Sequence, residues 1–167
     1  LLRRFRPYAA DKAEAEALKK ERLEAVSAIV AAGADTDKMV RWGHETVALF
    51  KALPLKHRER FPLILYIGEI YMRQHDPYTN QVIRQLEDQQ LEVVRDPITD
   101  WLLYVNRMNV RNNKRDVRLG LRSLNLGRAW RSSGQLGKSL LKSRYMNHVA
   151  QKLAEPFHEV LAGRHAL

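Results

Sequence analysis

Two apolar runs, each followed by an Asp-Pro pair and separated by one amphipathic stretch, restrict what this chain can fold into more than any other feature. The first, Phe61 to Ile70, reaches Gly68-Glu69 near its end, and Asp76-Pro77 then opens a helix whose apolar stripe is Val82, Ile83 and Leu86. Gln89-Gln90 turns the chain into the second run, Leu91 to Arg95, after which Asp96-Pro97 opens a short helix holding Trp101, Leu102 and Val105. Aspartate offers an oxygen to the unbonded amides of a helix start, and proline at the first helical position lacks only an N–H that would go unbonded there. The order spells a β-α-β unit, whose right-handed crossover sets the two strands side by side and parallel. Because the first run is near-continuous rather than alternating, it is expected to be a central strand covered on both faces.

Upstream, Asp11 caps a helix that carries Leu18, Arg22, Ala25, Val26, Ile29 and Val30 at helical spacing until Gly33 stops it. Asp35 or Thr36 caps a second, which runs through Met39, Val40, Val47, Leu49 and Phe50 to Pro54. Downstream of Asn106 the pattern weakens, and the expectation is short helices broken at Gly120, Gly127 and Gly134, with a clearer helix from Ser139 to Leu153. Pro156 kinks that helix or starts another through Phe157, Val160 and Leu161. The expected fold class is therefore α/β, a small, mainly parallel β-α-β sheet flanked by helices with a basic helical extension. Its expected parts are a helical hairpin over 1–58, the β-α-β core over 59–106 and the extension over 107–167.

Charge divides the chain more sharply than hydropathy. Residues 1–106 carry 16 basic and 16 acidic side chains, whereas 107–167 carry 13 basic and 3 acidic ones, the whole net charge of +10. No apolar run is long enough to span a bilayer, and Leu1-Leu2-Arg3-Arg4 lacks the apolar stretch of a signal peptide, so a cytoplasmic protein with no membrane partner is expected. With no cysteine, the chain holds neither a disulfide nor a thiolate-ligated cluster.

Several motifs fail on their chemistry. Ser132-Ser133-Gly134-Gln135-Leu136-Gly137-Lys138-Ser139 ends like a phosphate loop, but that loop needs glycine where Ser132 stands and a strand before it. His44-Glu45 lacks the second histidine one turn on, and His148 and His158 have no acidic or cysteine companion at ligand spacing, so no metal site is expected. No nucleophile, base and orienting group occur at a spacing that assigns a catalytic residue.

The loop after the first run is the best ligand-binding or contact candidate. Gly68 permits a tight turn, while Glu69, Tyr71, Arg73 and His75 bring a carboxylate, a phenol, a guanidinium and an imidazole to the strand end where α/β folds bind ligands. Free amides from Asp76 to Asn80 would favour an anionic group, and Asn80 completes the set. Alternatively, Glu69 and Arg73 pair with each other and only hold the turn.

The same stretch resembles a family. Gly68-Glu69-Ile70-Tyr71-x-Arg73, Asp76-Pro77 with Asn80, Ile83-Arg84-x-Leu86-Glu87, Glu92-Val93-Val94 and Trp101-Leu102-x-Tyr104-Val105-Asn106 are similar to the middle region of acyl-CoA dehydratase activase-related proteins, themselves similar to the activator and dehydratase subunits of 2-hydroxyglutaryl-CoA dehydratase. The likeness covers roughly Phe61 to Asn106, with a faint echo at Arg4-Phe5-Arg6-Pro7-Tyr8, and largely fails downstream. It implies a parent that couples ATP to electron delivery to a 2-hydroxyacyl-CoA dehydratase, with ATP and an iron–sulfur cluster bound outside this chain. Starting with Leu rather than Met, the chain is expected to be a segment of such a parent, a ligand-binding or interdomain-contact domain without full activity. Its partners would be other parent domains or a dehydratase.

The basic segment has three readings. Arg107, Arg111, Arg115, Arg118 and Arg122, with Lys114, Arg128 and Arg131, could meet an acidic partner or parent domain, the phosphates of coenzyme A, or nucleic acid, with Tyr104 and Trp130 placed for stacking. They rank in that order, and a basic nucleic-acid-binding module is the alternative for the chain as a whole.

Overall fold

The computed structural model describes residues 1–33, 35–57, 59–69, 71, 76–95 and 98–162. In chain order the elements are α1 (Leu2–Phe5), α2 (Lys12–Ala31), α3 (Thr36–Ala52), β1 (Leu63–Tyr66), α4 (Asp76–Asp88), β2 (Glu92–Arg95), α5 (Ile98–Arg122), α6 (Leu126–Ala154), a 3-10 turn (Glu155–Phe157) and α7 (His158–Ala162). They fall into two compact units, Leu1–Asp96 with Leu153–Leu167, and Pro97–Lys152.

The α/β class is overturned: 76% of the described residues are helical, and the strands among them are two of four residues each. The chain is mainly helical, with one small β-α-β unit inside it. The strands pair in parallel, Leu63 opposite Glu92 through to Tyr66 opposite Arg95. β1 is not a central, doubly covered strand, because Leu63 and Leu65 are exposed while only Ile64 and Tyr66 are half-buried. An apolar run reads the same whether its second face is covered or bare, so the sequence pattern alone could not separate the two.

Local chemistry sets the ends of the first helices. Asp11 caps α2 by accepting from the Ala13 amide at 2.7 Å, Asp35 caps α3 by accepting from the Lys38 amide at 2.9 Å, and the helical conformation stops at Leu53 before Pro54. Leu2, Ala9, Ala15, Phe50 and Leu53 form the core between α1, α2 and α3, with Phe5 tilted against Phe50. Arg22 and Trp42 tie α2 to α3, since the Trp42 Nε1 donates to the Arg22 carbonyl and the guanidinium donates to Thr46. The 3-10 turn closes this unit by packing Pro156 on Gly43, where a Cβ would stand 2.8 Å from the proline ring.

The second unit is a helical hairpin instead of the expected short helices broken at glycines. α5 passes without a break to Arg122, and α6 runs straight through Gly127, Gly134 and Gly137. The chain reverses at Ser123–Asn125, where Leu124 takes a left-handed conformation with φ +52°. Gly120 serves close approach, because a Cβ there would lie 2.8 Å from the Ala129 amide nitrogen. About two turns along α5 from that crossing, Asn113 donates to Ser139 at 2.8 Å. A glycine costs an exposed helix only about 1 kcal/mol against alanine, which helix continuity and packing override.

Candidate functional site

At the carboxyl end of β1 the backbone turns at Gly68, with φ +156°, and Glu69 accepts from the Tyr71 amide at 2.8 Å. That carboxylate therefore helps to hold its own turn, and the side chains of Ile67, Glu69 and Tyr71 are exposed. Arg73 and His75, expected to complete the group, lie outside the described residues, as do Asp96 and Pro97. Asn80 is half-buried in α4, and its side-chain oxygen accepts from Arg3. Gly68, Glu69 and Tyr71 thus share the rim of the sheet, whereas Asn80 is engaged by the N-terminal segment.

What sequence reasoning missed is the ionic cluster beneath that segment. Glu87, whose side chain is fully buried near the end of α4, takes Arg3 at 3.2 Å and Arg6 at a shorter distance. Glu92, at the start of β2, takes Arg4 at 2.6 Å and the Tyr8 hydroxyl at 2.8 Å. Arg6 also lies with its Nε 2.9 Å from Glu16, a charge contact without hydrogen-bond geometry. Arg84 reaches the same carboxylate at 3.1 Å. The Tyr8 hydroxyl accepts from the Phe61 amide at 3.0 Å while its ring stacks on Phe61, and burial, more than its neighbours, raises its pKa above the ordinary 10.0. Outside the cluster, the hydrogen bond from Lys12 holds the Asp88 carboxyl below the usual range. Arg3-Arg4-x-Arg6-x-Tyr8 is a legible pattern, but arginine's default place is the surface, and its partners lie some eighty residues on.

A cleft of about 640 Å³ opens beside this cluster, with Phe5, Leu53, Leu55 and Val160 as its apolar lining. Two of the cations at its edge are engaged, Arg4 by Glu92 and Lys51 by Glu159 at 2.7 Å. Among the described residues no three His, Asp or Glu side chains group to hold a metal, and no described helix is long and apolar enough to cross a membrane. The stretch ending Gly137-Lys138-Ser139 lies inside α6, so it forms no phosphate loop.

The structure does bring the predicted arginines together. Arg107, Arg111, Arg115, Arg118 and Arg122 are all exposed, and at 3.6 residues per turn they fall within an arc of about 80° on α5. Asn113 and Gly120, which touch α6, lie on the other side of the helix, so the stripe faces away from the hairpin's own seam.

No family model matches the chain, and neither a curated protein nor a solved structure matches it.

Proposed function

We propose that the chain is a segment of an acyl-CoA dehydratase activase-like protein, cytoplasmic, and that it serves there as a contact domain without full catalytic activity. One observation carries the reading: the resembling residues Gly68, Glu69 and Tyr71 follow the carboxyl end of a parallel strand whose Leu63 and Leu65 are exposed, as is Ile67 just after it. A two-stranded sheet with a bare apolar row is marginal alone and gains from a further strand or a covering element, which other domains of the parent or a dehydratase would supply. ATP and the iron–sulfur cluster belong, on this reading, to parts of the parent outside these 167 residues. Coenzyme A phosphates rank second as partners of the exposed arginines.

The test has two arms. Purified chain is expected to hydrolyse no ATP and, after iron and sulfide reconstitution, to show no cluster absorbance; turnover or a cluster band overturns the reading. The coding sequence on either side is expected to specify cysteine ligands and a phosphate loop, and flanks lacking both would also overturn it.

The arginine stripe of α5 favours a second reading, a basic nucleic-acid-binding module. Binding through phosphates weakens steeply with salt, so a random duplex titrated from about 50 to about 200 mM salt should lose affinity by orders of magnitude. Salt-independent or undetectable binding rejects it.

A further inference from the structure

We infer that the outward face of α6 is a docking lane for an acidic amphipathic helix of a protein partner; the inference rests on the contact-domain reading and gives its partner a chemistry. Ala129, against Gly120, and Ser139, against Asn113, mark the side of α6 that meets α5. At 3.6 residues per turn, Trp130, Gly134, Gly137, Leu141 and Tyr145 fall on the opposite side, spaced as one seam. Trp130, Leu141 and Tyr145 are 82%, 78% and 70% exposed. Apart from the helix's own neighbouring backbone, none of the described residues lies within 4 Å of where a side chain on Gly134 or Gly137 would begin. The two glycines give up helix propensity without any contact in return inside this unit, and what they leave is a flat floor bordered by large apolar side chains.

Charge selects the occupant. α6 contains no Asp or Glu, and exposed Arg131, Lys138 and Lys142 follow one border of the lane while Arg144 stands on the other. A second copy of the chain would match in shape, since an antiparallel pair of α6 helices centred between Gly137 and Lys138 sets Trp130 against Tyr145 and Leu141 against Gly134. That pairing also puts Lys138 beside its own counterpart and Arg131 beside Lys142 of the other copy, with no carboxylate on either helix to offset them. Nucleic acid would meet the cations but leave Leu141 against phosphate and sugar. An acidic amphipathic helix answers both halves of the surface: its leucine-like residues seat on the glycine floor, and its carboxylates meet the bordering cations.

The experiment titrates the full chain, by fluorescence anisotropy, into a labelled peptide of about three heptads with Leu at positions a and d and Glu at e and g. A scrambled peptide of the same composition and a labelled oligouridine are the controls. The heptad peptide is expected to bind, and Leu141→Glu or Gly134→Phe to weaken it at least about tenfold. Reversing Arg131, Lys138 and Lys142 to Glu should abolish that binding and create affinity for the corresponding Leu/Lys peptide. Far-UV circular dichroism checks that the variants, all at exposed positions, keep their helices. Equal binding of the scrambled peptide, binding of oligouridine alone, or a dimer in sedimentation that Leu141→Glu dissolves would each overturn the proposal. None of these outcomes touches the exposed β1 row or the flanking cysteines, so the contact-domain reading fails separately, by ATP turnover or cluster binding.

Discussion

Glu87 is the residue on which the first unit's polar interior turns, because its carboxylate is fully buried between Arg3 and Arg6. Removing one member of such a cluster strands the others' charges away from water, so Glu87→Ala is expected to cost about 3–5 kcal/mol in urea unfolding. Truncating exposed Glu45, which meets Arg22 at 3.2 Å near the surface, should cost under about 1 kcal/mol. Tyr8 adds a pH dependence. Its folded-state pKa is raised, so its contribution is fully present below pH 10.0 and is lost as pH rises through the folded value. The ionised phenol would lose its donation to Glu92 and lie beside that carboxylate. Tyrosinate absorbance should therefore rise together with loss of helicity in alkali, and Tyr8→Phe should remove that step; a titration unchanged in Tyr8→Phe contradicts the assignment.

Helices show most clearly which local signals can be read without a structure. Asp11 and Asp35 announced α2 and α3 because a cap acts over two or three residues, and α4 starts at the Asp-Pro pair of 76–77 as its sequence suggested. The hairpin escaped because glycine was read as punctuation, whereas Gly127, Gly134 and Gly137 all lie inside α6 and the reversal falls on Leu124, a residue with no turn signature. Exposure of β1 and burial of Glu87 escaped for another reason: each depends on partners far along the chain. Of the expected site, the sequence showed the Gly68 turn through its glycine and the arginines as a run of charge but not their single stripe on α5, while Asn80 proved to be held by Arg3. The glycines of the hairpin give a paired prediction. Gly120→Ala should destabilise by about 1–3 kcal/mol, since its Cβ would meet the Ala129 backbone. Gly137→Ala, in open space, should stabilise by about 0.5–1 kcal/mol. Thermal melts of the two variants should move in opposite directions, and a shift of the same sign would place the helices differently.

At the scale of the whole molecule, charge is partitioned between the two units. Leu1–Asp96 with Leu153–Leu167 carries 17 basic and 17 acidic side chains, while Pro97–Lys152 carries 12 basic and 2 acidic ones, the entire excess of +10. Self-repulsion in the hairpin is screened by salt, whose Debye length falls from about 10 Å at 0.1 M to about 3 Å at 1 M. The neutral unit has no such strain to relieve, and its buried Glu87 cluster is shielded from ions, so salt should weaken only its exposed pairs such as Lys12–Asp88. Tryptophans make the two units separately visible, because Trp42 lies in the first and Trp101 and Trp130 in the second. With Trp101→Phe and Trp130→Phe together reporting the neutral unit, and Trp42→Phe the basic one, added salt should raise the melting temperature of the hairpin and leave the other unchanged or slightly lowered. A single transition moving identically in both variants would mean that the units unfold as one cooperative body, and that repulsion within the hairpin is balanced across the whole chain.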